Sequence, residues 1–181
     1  MSLARAREAI AALTRTTDDF PVAGVTFRDL TPVLADADGY AAVIEALAAT
    51  VGPVDLVAGI DARGFLLGGG VAQRLGTGVL AIRKQGKLPP PVRSRSYDLE
   101  YGTAALEIPA DAPDLTGRRV LILDDVLATG GTIVAAVDLL RAAGAEIVGV
   151  GVVLELADLG GRARVDRHLP AGALINALAT G

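Results

Sequence analysis

Short, continuously apolar runs alternate with helical patterns along much of the chain. The runs cover residues 56–60, 79–82, 120–123 and 147–154. A strand buried on one face only would carry a polar residue at every second position, so these runs predict parallel strands covered on both faces. Helical patterns between them, such as residues 65–75, complete the βα units. The sequence therefore predicts an α/β fold with a central, mainly parallel sheet flanked by helices.

Three further segments fit this architecture. Residues 40–51 carry apolar side chains at helical spacing, which predicts an outer helix. Residues 104–108 predict an antiparallel strand, and the first residues of the chain have the pattern of an amphipathic helix. With 181 residues, the chain is expected to form a single domain, residues 1–181.

Composition excludes several kinds of site and partner. The chain has no cysteine, which excludes disulfides and thiolate metal sites, and His168 is its single histidine. Seventeen Lys and Arg residues stand against 21 Asp and Glu residues, a net charge of −4, which argues against nucleic acid as a partner. Charged residues interrupt every apolar stretch before it could cross a bilayer, so we expect no membrane association and a cytoplasmic location.

The strongest candidate site follows the third apolar run. Ligands of open α/β sheets bind beyond the carboxyl ends of the strands, where this run leads into a Thr-Gly-Gly-Thr turn. Gly130 and Gly131 allow a tight turn whose N–H groups converge at the start of the next helix, and Thr129 and Thr132 add hydroxyl donors. A phosphate monoester fits such a turn. The alternative is an ordinary helix cap with a glycine turn.

Two adjacent carboxylates, Asp124 and Asp125, precede this turn. On an extended chain they would point to opposite sides, so one could face a ligand while the other meets a loop or a backbone donor. Carboxylates repel a phosphate unless they bind something else, such as sugar hydroxyls or hydrated Mg²⁺. A ribose 5-phosphate would satisfy both the turn and the carboxylates.

Residues 120–132 resemble the phosphoribosyl diphosphate (PRPP) signature of the type I phosphoribosyltransferases. That signature alone would mark only the superfamily. Other segments, in the family's order, resemble the adenine phosphoribosyltransferase family within it: residues 19–32, 59–65, 82–89 and 96–102. Together the resemblance spans about residues 19–155.

The resemblance implies a type I phosphoribosyltransferase-like fold with a small hood, formed by residues 1–35 and 155–181, and a flexible lid loop at residues 87–101. It implies purine salvage, in which the 5-phosphoribosyl group of PRPP is transferred to adenine to give AMP and pyrophosphate. Mg²⁺ would be bound mainly through PRPP or pyrophosphate and water. A homodimer is implied, with Arg83 able to approach the neighbouring site. A phosphoribosyltransferase for a 6-oxopurine and a non-catalytic PRPP-sensing regulator remain the alternatives.

The resemblance also implies roles for individual residues in binding PRPP. The 5-phosphate would lie in the loop formed by Ala128, Thr129, Gly130, Gly131 and Thr132, with Asp124 and Asp125 on the ribose hydroxyls. Pyrophosphate would bind the turn of Asp61, Ala62 and Arg63, in which we expect a cis peptide bond between Asp61 and Ala62. Further cations near the diphosphate would be Arg83, Lys84 and Lys87.

Adenine would bind the hood, according to the same resemblance. Main-chain groups of Thr26 and Arg28 would recognise its edge, and Phe27 would stack near its ring. Glu100 is the candidate acid or base for the purine nitrogen, with Tyr101 beside it on the lid. A surface carboxylate is the alternative interpretation of Glu100.

Overall fold

Strands and helices alternate along the chain in the order that the apolar runs predict. The computed structural model describes residues 2–20, 22–24, 26–99, 102–111 and 113–181. Its helices are α1 (Ser2–Leu13), α2 (Thr31–Ala35), α3 (Ala37–Ala48), α4 (Arg63–Leu75), α5 (Gly131–Ala142) and α6 (Gly161–Asp166). Its strands are β1 (Arg15–Thr17), β2 (Phe27–Asp29), β3 (Leu56–Ile60), β4 (Gly78–Lys84), β5 (Val92–Leu99), β6 (Gly102–Pro109), β7 (Arg119–Leu127), β8 (Glu146–Glu155) and β9 (Leu174–Thr180).

Seven strands form the main sheet in the order β5-β6-β4-β3-β7-β8-β9. The five strands from β4 to β9 in this order are parallel, and β6 is antiparallel to both β4 and β5. The prediction of a mainly parallel sheet is confirmed, as is the antiparallel strand at residues 104–108. Strands β1 and β2 pair with each other in a separate two-stranded sheet.

Helices cover both faces of the main sheet, as the continuously apolar strands predict. On one face, Ile122 of β7 is fully buried in a cluster with residues of α5 and α6. On the other face, Leu121 and Leu123 of the same strand are fully buried in a cluster with residues of α1, α3 and α4. No helix within the described ranges is long and apolar enough to cross a membrane.

The strand ends extend further than the apolar runs. Strand β7 continues to Leu127, so Asp124 and Asp125 lie inside the strand and not in a turn after it. Arg83 and Lys84, expected in a basic loop, are the last residues of β4. Polar residues lie near the ends of β4 and β7, and a polarity pattern does not distinguish a polar strand end from a loop. The sequence therefore did not predict the full length of these two strands.

The segment expected to form the lid contains a strand. All eight residues of β5 pair with β6, which makes β5 and β6 a hairpin at the edge of the main sheet. Six of these residues read Val-Arg-Ser-Arg-Ser-Tyr, a polar sequence without an apolar run, because the strand is largely exposed. Arg95 of β5 forms an ion pair of 2.7 Å with Asp138 of α5, which ties the hairpin to that helix. The flexibility of the lid stays a prediction.

An ion pair joins the segments that lead into β3 and β7. The carboxylate of Asp55 accepts hydrogen bonds from Arg119 N and Nε, both at 2.9 Å, and from Arg119 Nη2 at 2.7 Å. Asp55 N donates to Arg119 O at 2.9 Å. Hydrogen bonds from the guanidinium and the backbone hold the pKa of Asp55 well below its ordinary value. The pair helps to align the two central strands that lead to the site.

Replacing Asp55 with Asn should lower the free energy of unfolding at pH 7 by a small amount, since the pair is exposed and screened by solvent. A carboxyl whose pKa is lowered by folding stabilises the protein above its unfolded pKa and loses this effect as the pH falls through its folded pKa. The difference between wild type and Asp55→Asn should therefore narrow below about pH 4. Urea unfolding at pH 7 and at acid pH measures it. A difference in the free energy of unfolding that does not change with pH would contradict the lowered pKa of Asp55.

Candidate active site

A cleft of about 720 Å³ opens beyond the carboxyl ends of β3, β4 and β7. This is the edge of a parallel sheet at which ligands are expected. The cleft is lined by residues from the turn after β3, the end of β4, the β5–β6 hairpin and the β7–α5 segment: Asp61, Ala62, Arg63, Lys84, Gln85, Tyr97, Ala104, Ala105, Asp124, Asp125 and Thr132. Three separate parts of the sequence-predicted PRPP site therefore meet in one cleft.

The turn after β3 has the backbone that the resemblance implies, because the Asp61–Ala62 peptide bond is cis. Two glycines allow α4 to begin directly against the sheet. A Cβ on Gly64 would lie 2.6 Å from the carbonyl oxygen of Leu123, and a Cβ on Gly59 would overlap the carbonyl oxygen of Gly64. Since no side chain fits between these backbones, the turn is held against β7 at the residue before Asp124.

Arg63 and Asp125 link the turn after β3 to the end of β7. Arg63 Nε lies 2.5 Å from Asp125 Oδ2. The Asp125 side chain is 12% exposed and the Arg63 side chain 36%, so the guanidinium still faces the cleft. Oδ2 of Asp125 is buried and accepts no well-aligned hydrogen bond within the described residues. Arg63 is thus placed beside the ribose-binding candidates as well as in the predicted pyrophosphate turn.

Asp124 is more deeply buried than a carboxylate at a strand end usually is. The residue is 9% exposed, and its Oδ1 accepts a hydrogen bond of 2.9 Å from Asp125 N. Burial, and then the neighbouring charge of Asp125, raise the pKa of Asp124 well above its ordinary value. Both aspartates line the cleft, and Asp124 is the one whose carboxylate meets a backbone donor, which was one of the two arrangements expected for the pair.

The loop of residues 128–132 surrounds a smaller cavity of about 70 Å³ beside the main cleft. Asp124 and Thr132 line both spaces. Gly130 has a φ of +79°, a left-handed conformation that favours glycine, and α5 begins at the next residue. The first N–H groups of a helix have no partner within the helix, and the positive end of its dipole favours an anion. The geometry therefore suits a phosphate group.

Of the three cations predicted on the basic segment, Lys84 lines the cleft. Arg83 forms an ion pair with Asp61, with Nε 3.1 Å from Oδ2, and its guanidinium carbon lies 5.6 Å from the centroid of the Phe65 ring. Lys87 is exposed on the turn after β4 and does not line the cleft. Buried Glu107 supports this turn by accepting a hydrogen bond of 3.0 Å from Gly86 N.

Of the predicted base-binding residues, Phe27 and Arg28 lie on β2 and Thr26 directly precedes it, and none of them lines the main cleft. Thr26 Oγ1 donates to Asp18 at 3.1 Å, and the Phe27 ring meets Phe20 edge-on with centroids 5.3 Å apart. Arg28 Nη1 donates to a threonine of β1 at 3.3 Å, and the Arg28 side chain lines a separate cavity of about 240 Å³. The base-binding roles of these residues stay predictions.

Glu100 and Tyr101 lie outside the described residues, so the assignment of an acid or base also stays a prediction. Sequence reasoning did not single out Gln85, Tyr97, Ala104 and Ala105 as cleft residues. Gln85 and Tyr97 fall within segments that carry the family resemblance, which was the available signal for them. The two alanines carry no chemistry, and only the hairpin brings them to the cleft.

Comparison with known proteins identifies a matching family. The family model "Phosphoribosyl transferase domain" matches residues 32–170. An adenine phosphoribosyltransferase from Nocardia farcinica is 66% identical over 161 residues, which cover 89% of this chain and 84% of that protein.

Solved structures of similar proteins lead to the same family. The adenine phosphoribosyltransferase of Rhodothermus marinus is 42% identical, with a TM-score of 0.88 over 98% of this chain and 99% of that one. The Saccharomyces cerevisiae enzyme, complexed with an imino-altritol bisphosphate and adenine, is 31% identical, with a TM-score of 0.86 over 97% of this chain and 98% of that one.

Replacing Asp124 with Asn should raise the free energy of unfolding at pH 7. A carboxyl whose pKa is raised by folding ionises more readily in the unfolded chain, so it lowers stability as the pH rises from its unfolded pKa through its folded pKa. Asn removes this penalty and keeps the oxygen that accepts from the next backbone N–H. The gain should vanish below about pH 4, where both states of the wild type are protonated. Urea unfolding across this range measures it, and an equal gain at every pH would contradict the expectation.

Proposed function

This chain belongs to the phosphoribosyltransferase family, and within it to the adenine phosphoribosyltransferases, and from this premise we propose how its cleft transfers a phosphoribosyl group. The reaction is purine salvage, in which adenine and PRPP give AMP and pyrophosphate. One observation carries the assignment of the site. The turn after β3 and the loop after β7 open into the same edge of the sheet, with Asp124 and Asp125 between them.

The loop of residues 128–132 binds the 5-phosphate of PRPP. Its glycine turn and the start of α5 present N–H groups and a positive helix end. Asp124 and Thr132 line both the small cavity inside the loop and the main cleft, so the two spaces adjoin each other. With the phosphate in the small cavity, the ribose lies beside the two aspartates, whose carboxylates accept hydrogen bonds from its hydroxyls.

The turn of Asp61, Ala62 and Arg63 receives the diphosphate, together with Lys84. A purine nitrogen attacks C1 of the ribose as the bond from C1 to the diphosphate oxygen breaks, and the electron pair of that bond leaves with the diphosphate. Charge therefore grows on the leaving group in the transition state. Arg63 and Lys84 face this part of the cleft, and cations there stabilise the transition state more than the bound substrate.

Mg²⁺ is a proposed cofactor that the residues present can accommodate. Within the described ranges, no group of three or more Asp, Glu or His side chains converges as a metal cage. Mg²⁺ commonly binds substrate phosphates and water with at most one or two carboxylates, so PRPP or pyrophosphate and water would supply most of its ligands, with the carboxylates that line the cleft close to them. When bound, the ion would neutralise charge on the diphosphate.

Adenine binds the hood through main-chain groups of Thr26 and Arg28, with Phe27 near its ring. A main-chain carbonyl oxygen would accept a hydrogen bond from the 6-amino group of adenine. In a complex with a 6-oxopurine the same carbonyl would face an oxygen, and no hydrogen bond could form between the two acceptors. Such an unpaired contact strongly disfavours the wrong base. As the purine nitrogen bonds to C1 it loses its proton, and Glu100, with Tyr101 beside it, is proposed to accept that proton. We also propose that the protein is located in the cytoplasm.

A second copy of this chain covers an exposed apolar surface on α4 and β4. Leu66 is 54% exposed and Val79 is 49% exposed. Val79 packs against the backbone of Gly68, where an added Cβ would lie 3.1 Å away, so the apolar surface of β4 continues onto α4. A groove of about 410 Å³ lies between α3 and α4, next to Tyr40, whose hydroxyl donates to Leu66 O at 2.6 Å. Arg83, at the end of β4, would then approach the partner's site.

The assay that tests the reaction measures pyrophosphate release with PRPP, Mg²⁺ and one base at a time. Adenine should support turnover, and guanine, hypoxanthine and xanthine at equal concentration should support far less, because their 6-oxo group faces an acceptor. Faster turnover of a 6-oxopurine would favour the alternative specificity. Binding of PRPP without turnover of any base would favour the PRPP-sensing regulator.

Replacing Leu66 with Glu should convert the homodimer to a monomer, because a two-fold interface would bury the new carboxylate of each copy without a partner. Leu174→Glu is the matched control, since Leu174 is 61% exposed on β9 at the opposite edge of the sheet from the hairpin. Sedimentation equilibrium of the wild type and both variants measures the mass. A monomeric wild type, or equal dissociation by both substitutions, would contradict the proposed interface.

A further inference from the structure

The short helix α6 is held to the end of β8 by a partly buried ion pair between Arg162 and Glu155. Glu155, the last residue of β8, is 5% exposed. Arg162 Nε donates to Glu155 Oε1 at 2.9 Å and to Oε2 at 3.0 Å, and Nη2 lies 2.5 Å from Oε2. Arg162 Nη1 also donates to Ile175 O at 3.0 Å, which ties the same guanidinium to β9. A bidentate contact between a guanidinium and a carboxylate is strong and has a defined geometry. It therefore fixes the position of the first turn of α6.

The fixed turn of α6 lies directly against the loop of residues 128–132. A Cβ on Gly161 would overlap the carbonyl oxygen of Ala128 and would lie 3.0 Å from Gly130 N. From the other side, a Cβ on Gly130 would lie 2.8 Å from Gly161 O and 3.0 Å from Val165 Cγ2. The two backbones therefore touch with no side chain between them, and Val165 is itself fully buried.

Gly161 is needed for space and not for backbone conformation. Its φ lies outside the left-handed region, whereas the preceding Gly160 has a φ of +67° with no atom near its Cβ position. Any side chain at residue 161 must push the Ala128 carbonyl, and with it the turn whose N–H groups face the small cavity.

We propose that Gly161 is a positioning residue for the 5-phosphate loop, and that the Glu155–Arg162 clamp holds it in place. This inference rests on the proposed function, in which that loop binds the 5-phosphate. Gly161 does not line the main cleft or the small cavity, so its effect on a ligand is transmitted through the backbone of residues 128–130.

The test compares AMP with adenosine, which lacks the phosphate, by calorimetric titration. Gly161→Ala should weaken AMP binding about tenfold or more, because small displacements of a preorganised site are costly, and should leave adenosine binding within twofold of wild type. The KM for PRPP should rise similarly while the KM for adenine stays nearly constant. Gly52→Ala is the matched control, since Gly52 has open space around it and ordinary φ, and it should change neither ligand's affinity.

Arg162→Lys provides a second variant in case Gly161→Ala does not fold, as judged by its thermal melt. Lysine keeps the charge but loses the forked contact with Glu155, so AMP should again weaken more than adenosine. The proposal is overturned if the folded variant binds AMP within twofold of wild type, or if AMP and adenosine weaken equally. A wild-type protein that neither binds AMP nor forms it from adenine and PRPP would instead contradict the proposed function.

Discussion

The parallel pairing of β3 with β7 is the constraint on which the site depends. The pairing runs from Leu56 opposite Val120 to Gly59 opposite Leu123, so both strands end at the same edge of the sheet. The close backbone contact of Gly59, Gly64 and Leu123 then sets how near the two turns can approach. A one-residue slip of β7 would turn each of Asp124 and Asp125 to the face opposite its present one and shift the loop of residues 128–132 relative to the turn after β3.

Two arginines beside the cleft are paired with carboxylates before any substrate binds. Arg63 pairs with Asp125 and Arg83 pairs with Asp61, while burial raises the pKa of Asp124 and so favours its neutral form. These pairings hold the cations near the place where a diphosphate would lie, although the whole chain carries a net charge of −4. Arg63 and Arg83 remain about one-third exposed, so exchanging a carboxylate for a phosphate oxygen costs little, as for other partly solvated pairs.

Much of the site could be predicted because its signals are local. The Thr-Gly-Gly-Thr turn requires glycine at a positive φ, and the family resemblance implied the cis bond between Asp61 and Ala62, which the structure has. The partners of the charged side chains could not be predicted in this way. Arg63 meets Asp125, and Gly161 meets Ala128, only because segments far apart in sequence pack against each other. The β5 strand was missed because an exposed edge strand needs no apolar run.

The sequence by itself determined the α/β class, the order of the buried strands along the chain and the position of the glycine turn at residues 128–132. Apolar runs and glycine turns act over a few neighbouring residues, so the chain specifies them without its distant parts. Only the tertiary structure decided which cation neutralises which carboxylate, how deeply Asp124 is buried, and that α6 supports the loop. These properties depend on distances between separate elements, and pairing and packing of the whole sheet set those distances.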